Sequence, residues 1–275
     1  MSTTSTASNS LDWGPLFRQG TQAQSQGDLR TAISCYRRAQ LLSGDNPEPT
    51  LQLGLALYHY GLEARAAECF TEVLQRFPSS ALAQLGFLVC ALRTVPHDLT
   101  EADQSVSLFR TLLEQLRRDW LGEVAPASHD VSLAAEQREA IGVVQPFALA
   151  YYGENVVEEQ HAYGQLIAGS NATDRLPHPT FTPGKRIRLG IVSAFFCDHS
   201  NWWVPIKGWL KHFDRSRFEI WCYHVGRVED KETALARSWS DHFLSNNDLS
   251  QRQESKNGHP FHASSDWAAQ IRSDR

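Results

Sequence analysis

The stretch Leu53-Gly54-Leu55-Ala56-Leu57-Tyr58-His59-Tyr60-Gly61-Leu62-Glu63-Ala64-Arg65-Ala66-Ala67-Glu68-Cys69-Phe70 decides how the first half of the chain folds. Its marked positions recur 34 residues upstream: Gly54 matches Gly20, Gly61 matches Gly27, Ala66 matches Ala32 and Phe70 matches Tyr36. Gly44 likewise aligns with Pro78. The pattern has a direct physical reading. Small residues such as Gly20 and Ala32 let two helices of one unit approach closely, and Gly27 turns the chain between them. Tyr36 is the large residue expected to pack on the next unit, and Gly44 or Pro78 ends the second helix.

A period of 34 residues built from helix pairs is that of the tetratricopeptide repeat (TPR). Repeat one runs from about Trp13 to Asn46 and repeat two from about Pro47 to Ser80. A degenerate third pair is expected over Ala81–Arg93 and Thr100–Arg118, split by Val95-Pro96-His97. Such pairs bury their apolar faces on one another, and about three are needed for a stable stack. Beyond a link at Ala125-Pro126-Ala127-Ser128, helical spacing resumes from Val131 to about Tyr152, with a kink expected at Pro146, and again from Glu154 to about Ala168. Gly169–Gly184 carries Pro177, Pro179 and Pro183 and is read as an extended connector.

After the connector the period changes. Ile187–Ser193 reads as a buried strand, Trp203–His212 as a helix, Phe218–Tyr223 as a second strand and Asp230–Ser240 as a second helix. Alternation of this kind implies a parallel sheet. Leu249–Ala263 is polar and read as an irregular loop, and Asp266–Arg272 opens a last helix. Two strands fall short of a doubly wound domain, so the chain is expected to stop before a third core strand, as a truncated product, a fragment or one half of a split protein. The fold class expected is therefore α plus partial α/β: a TPR-type α-solenoid followed by an incomplete Rossmann-like βαβα unit. The domains expected are a disordered tail over 1–12, repeats over 13–123, a helical connector over 124–170, a linker over 171–184 and the partial lobe over 185–275.

Composition excludes several classes. The 275 residues are 41% hydrophobic and 21% charged, an ordinary globular balance. No apolar run reaches the roughly 18–20 residues of a membrane helix, and Met1–Ser10 lacks the basic and apolar regions of a secretory signal. A cytoplasmic location is expected, and the Asn171-Ala172-Thr173 sequon carries no weight there. The net charge of −5 is uneven: 12 basic and 20 acidic residues precede Lys185, and 14 basic and 11 acidic follow from it. With no basic stripe, a nucleic-acid surface is not expected, nor is a membrane partner. Five cysteines without a Cys-x-x-Cys pair argue against a disulfide framework or structural zinc.

The most specific segment is Arg186-Ile187-Arg188-Leu189-Gly190-Ile191-Val192-Ser193-Ala194-Phe195-Phe196-Cys197-Asp198-His199-Ser200. With Lys207-Gly208-Trp209-Leu210 and Asp214–His224, and with Gln145-Pro146-Phe147 and Tyr163-Gly164 upstream, it resembles the bacterial O-linked N-acetylglucosamine transferase family, SPINDLY-like. Those proteins join TPRs to a two-lobed GT-B glycosyltransferase. The resemblance covers roughly Gln145 to Arg275 and implies transfer of a sugar from a nucleotide donor to a Ser or Thr hydroxyl. It implies UDP-N-acetylglucosamine as donor, no metal or other cofactor, and a protein or peptide acceptor on the concave face of the repeats. It also implies that the donor is held by a C-terminal lobe, either missing here or separately encoded, so that this chain is expected to be inactive alone.

The resemblance makes His199 the candidate base or acceptor-side residue, with Asp198 and Ser200 as acceptor-cleft candidates. Read from the residues, His199 lies just beyond the carboxyl end of the first parallel strand, where open α/β sheets put their ligands. Imidazole can accept a proton near neutral pH. An Asp198 carboxylate close to the ring would favour its charged form, and the bland alternative is a histidine that orders the turn. His259 and His262 have no third ligand near and read as a chance pair. Lys185, Arg186 and Arg188 read as a solvated approach to the strand, and Trp202, Trp203 and Trp209 as anchors of the following helix. An adaptor that binds proteins through its TPRs and carries a vestigial lobe is the competing reading, with a lobe expected to be only marginally folded alone.

Overall fold

The computed structural model describes residues 12–122, 131–153, 155–170, 184–252 and 264–274. The expected tail up to residue 11, the link at Ala125–Ser128, the connector over 171–183, the His259–His262 pair and residues 253–263 of the expected loop lie outside them. The chain divides into two compact units, Met1–Leu176 and Pro177–Arg275.

The first unit is helical. Helices α1 (Gly14–Ser25) and α2 (Leu29–Leu42) form one pair, and α3 (Glu48–His59) and α4 (Glu63–Arg76) the next. A third pair is α5 (Ala81–Cys90) and α6 (Leu99–Leu121). The turn glycines are required by backbone geometry: Gly27 and Gly61 have φ of 80° and 84°, a region that side chains with a Cβ avoid. Close approach fixes the others. A Cβ on Gly20 would stand 2.7 Å from the Tyr36 ring, so Tyr36 packs first on its own repeat. Phe70 does span two repeats: a Cβ on Gly54 would meet it at 2.9 Å, and one on Gly86 at 2.5 Å. Phe70 is fully buried and has nowhere to move.

Helix α6 starts where Asp98 accepts the Glu101 N–H at 2.8 Å and Glu101 returns to accept the His97 N–H at 2.6 Å, so Val95-Pro96-His97 is a capped break. The helix expected from Val131 to Tyr152 is not continuous. Helix α7 (Val131–Ala140) ends before Gly142, whose φ is 89°, and a 3₁₀ turn (Phe147–Tyr151) follows Pro146. The cause is local: a glycine in left-handed geometry and two β-branched valines precede a proline that disfavours helix in the residue before it. Helix α8 (Val157–Ser170) closes the unit against α6, where buried Glu159 accepts from Arg110 Nε at 2.8 Å. Val144, Leu149 and Leu166 join the same core as the repeats.

The second unit is a small parallel sheet. Strands β1 (Ile187–Ser193), β2 (Phe218–His224) and β3 (His242–Ser245) lie in the order β1-β2-β3, with Gly190 opposite Trp221 and Tyr223 opposite Leu244. The third strand corrects the expectation of only two. It is four residues long and is anchored by Asp241, whose carboxylate accepts the Ile220 N–H at 2.8 Å and pairs with Arg186 and Arg215 at 3.0 and 3.1 Å. The helix expected from Trp203 begins as a π turn (Trp202–Ile206) containing Pro205 and continues as α9 (Lys207–His212). Helix α10 (Lys231–Trp239) connects β2 to β3. Where an irregular loop was expected from Leu249, α11 (Asn246–Arg252) is helical, and α12 (Ser264–Ser273) follows.

One sheet face packs Ile220 and Cys222 on Phe196, Trp202, Leu210 and Ala236; the other packs Tyr223 and Leu244 on Leu249 and Trp267. All five cysteines are buried free thiols. Burial pushes the Cys69 thiol up to about 11 and those of Cys90 and Cys222 up to about 12.

The glycines separate packing from propensity. Gly86→Val should cost about 2–3 kcal/mol, because the added carbons enter space that Phe70 fills. Gly164→Ala, in α8 with nothing within 4 Å of its Cβ, should gain about 0.5–1 kcal/mol. Urea denaturation followed by helical circular dichroism measures both, and equal midpoint shifts would contradict the packing argument.

Candidate functional site

The site is the pair of loops at the carboxyl ends of β1 and β2. The first runs from Ser193, whose hydroxyl oxygen accepts the Phe195 N–H at 3.0 Å. Phe196 turns inward and is fully buried, while Phe195 stays partly exposed and stacks on the His199 ring at 4.0 Å and 17°. The His199 carbonyl accepts from the N–H groups of Trp202 and Trp203 at 3.0 and 3.1 Å, which starts the π turn. Its ring nitrogen Nδ1 accepts the Asn201 N–H at 3.1 Å.

The second loop clasps the first. Val225 N–H donates to the Ser193 carbonyl at 3.1 Å, and a Cβ on Gly226 would stand 2.0 Å from the Ala194 oxygen, so only glycine fits there. Buried His224 lies between the Val228 carbonyl, 2.9 Å from Nε2, and the Ser193 carbonyl, 3.4 Å from Nδ1. Asp230 caps α10 by accepting the Glu232 and Thr233 N–H groups at 2.8 and 3.1 Å, and its other oxygen accepts the Asp198 N–H at 2.8 Å. Thr233 Oγ1 donates to the Phe196 carbonyl at 2.6 Å. Burial works to raise the Asp230 carboxyl, but the N–H groups of Asp198, Thr233 and Glu232 outweigh it and hold it below its ordinary value.

Behind the loop, Glu232 accepts from Lys207 Nζ at 2.9 Å and from Trp202 Nε1 at 2.7 Å. The Lys207 contact first, and then the indole, hold its carboxyl low. Lys207 Nζ also stands 3.6 Å over the Trp203 ring. Of the three tryptophans expected to anchor this helix, Trp202 is fully buried, but Trp203 and Trp209 are 48% and 55% exposed. They supply surface rather than core.

Asp198 and Ser200 are exposed and His199 is half-buried. Asp198 does not engage His199: its carboxylate accepts the Trp203 indole N–H at 2.8 Å. Arg186 and Arg188, at the start of β1, pair with Asp241 and Glu219 at 3.0 and 3.6 Å. Sequence reading missed the second loop. Asp230-x-x-Thr233 is a visible capping signal, but the cross-loop bond to Asp198 has no sequence mark. Among the described residues, no group of three His, Cys, Asp or Glu side chains is arranged to hold a metal ion. The helical unit separately contains a cavity of about 250 Å³ lined mainly by Leu74, Phe87, Leu88, Leu112 and Leu116, with Asp119 also at it.

The fold class is thus a TPR-type helical stack followed by a parallel α/β unit. No protein-family model matches the sequence, and no curated protein matches it. Among solved structures, a mutant O-GlcNAc transferase of Thermobaculum terrenum is similar, at 19% identity over 87% of this chain and 43% of that one, with a TM-score of 0.45. The chain spans less than half the length of that protein, and the likeness fixes no residue's role.

Acid should open the sheet unit first. Among the described residues seven carboxyls are held low, and five of them, Asp214, Asp230, Glu232, Asp241 and Asp248, lie in that unit, against Asp28 and Glu63 in the helical one. A carboxyl lower in the folded than in the unfolded chain stabilises the fold above about pH 4. That contribution is lost as pH falls through the folded value. Six of the eight tryptophans lie at or beyond Trp202, so their emission should redden at a higher pH than that at which helical dichroism falls.

Proposed function

We propose that this chain is the acceptor-side part of a protein O-glycosyltransferase of the SPINDLY-like kind, moving a sugar from a nucleotide donor to a Ser or Thr hydroxyl. One observation carries the reading. The segment Arg186–Ser200, on which the family resemblance rests, forms β1 and the loop at its carboxyl end, where parallel α/β sheets bind ligands. His199 is there half-buried, stacked on Phe195, with no partner on Nε2 among the described residues. It lines the acceptor side, with Asp198 and Ser200 at the rim.

In this reading the TPR stack selects the protein acceptor, and the excess of acidic residues before Lys185, most of it beyond the repeats, favours basic segments. The donor is UDP-N-acetylglucosamine, held mainly by a second lobe with a helix N-terminus toward its diphosphate, and no metal takes part. The work is done in the cytoplasm. A non-catalytic adaptor has one observation in its favour, the apolar cavity between α4, α5 and α6, which offers a binding surface without any chemistry.

Radiolabel transfer from UDP-N-acetylglucosamine to lysate proteins distinguishes them. The chain would be assayed alone and with a donor-binding lobe supplied in trans. The transferase reading expects label that falls roughly a hundredfold in His199→Ala. No label under any condition, while the helical unit still retains lysate proteins, would leave the adaptor.

A further inference from the structure

We propose that His199 is held with its proton on Nε2 and offers that N–H to a neutral oxygen of the bound ligand, a hydroxyl or an amide carbonyl, instead of acting as a base. The argument starts from Asn201. A backbone amide can only donate, so Nδ1, 3.1 Å from it, must be the unprotonated nitrogen of the ring. In a neutral imidazole the remaining proton is then on Nε2. Turning the ring over would exchange Nδ1 for a carbon and abandon the amide. The stack on Phe195, 4.0 Å away and 17° from parallel, fixes the plane in which Nε2–H points.

The geometry is therefore that of a positioned donor. A lone pair for proton abstraction exists only on Nδ1, where the Asn201 N–H occupies it. The charge around the loops selects the ligand atom. Asp198 is exposed beside His199, and Asp230 is bonded to the Asp198 N–H. The second loop also carries Glu229 and the exposed Arg227, and Lys207, behind the loops, is already paired with Glu232 and set over Trp203. Asp198, Glu229 and Asp230 against Arg227 and Lys231, with Lys207 neutralised by Glu232, give a phosphate no net attraction and leave uncharged hydroxyl and carbonyl oxygens as acceptors for Nε2–H.

The donor's role in transfer rests on the reading above; the tautomer does not. Long-range ¹H–¹⁵N correlation spectra of the full chain, labelled with ¹⁵N-histidine near neutral pH, read the tautomer directly. His199 is assigned by the signal missing in His199→Gln. A protonated Nε2 and a bare Nδ1 are expected; a proton on Nδ1, or an even mixture, overturns the proposal. In the transfer assay a glutamine offers an N–H near the Nε2 position but has no basic nitrogen. His199→Gln should keep transfer within about tenfold of wild type, where His199→Ala loses roughly a hundredfold. A glutamine variant as inactive as alanine would overturn the donor role. Wild-type chain with the Nε2–H tautomer but no transfer would overturn the transferase reading and the ligand assigned here, leaving only the tautomer.

Discussion

The loops at the carboxyl end of the sheet depend on one carboxylate. Asp230 uses one oxygen to cap α10 and the other to hold the Asp198 N–H of the preceding crossover. A cap alone is worth about 1 kcal/mol. Here the same group also sets how the first loop leaves β1, and so the direction in which His199 and Trp203 face. Gly226, pressed on the Ala194 carbonyl, and Thr233, bonded to the Phe196 carbonyl, leave that loop no alternative path. The exposed residues of the site stand on a floor where the Phe195, Asp198 and Asn201 N–H groups and the Ser193, Phe196 and His199 carbonyls all have partners.

The helical unit depends on a different kind of constraint, the absence of side chains. Gly54 and Gly86 flank Phe70, and a methyl group on either would overlap the ring. The ring is thus the spacer between the second and third pairs, and its thickness sets how closely they approach. The interval from Gly54 to Gly86 is 32 residues, two short of the preceding interval. The third pair keeps the packing partner while losing the sequence register, and it is for that reason degenerate to the eye and regular in its contact with Phe70.

What could be read in the sequence follows from how local each cause is. The TPR pairs and β1 were legible because their signals lie within a few residues: paired glycines and alanines at a fixed period, and an isolated run of Ile, Leu and Val. Strand β3 was not, since four residues beginning at His242 carry too short an alternation, and what holds them is Asp241 bonding to Ile220 across the sheet. The end of α7 is set by Gly142, whose positive φ breaks the helix four residues before Pro146, and a lone glycine within helical spacing is a weak signal. At the site, adjacency misled: Asp198 and His199 are neighbours in the chain, yet consecutive side chains diverge, and the carboxylate meets Trp203 while the ring meets Asn201. The second loop needed knowledge of distance.

The buried thiols have a consequence for chemistry rather than for packing. At an ionisation point of about 11 or 12, as for Cys69, Cys90 and Cys222, only about one molecule in ten thousand or fewer carries a thiolate at neutral pH. Electrophiles and peroxides react with the thiolate, so these sulfurs are inert while the fold is closed and become ordinary nucleophiles when it opens. Two are in the repeats and one is in the central strand of the sheet, so the chain carries its own unfolding reporters, one set in each unit, that alkylating reagents can count separately.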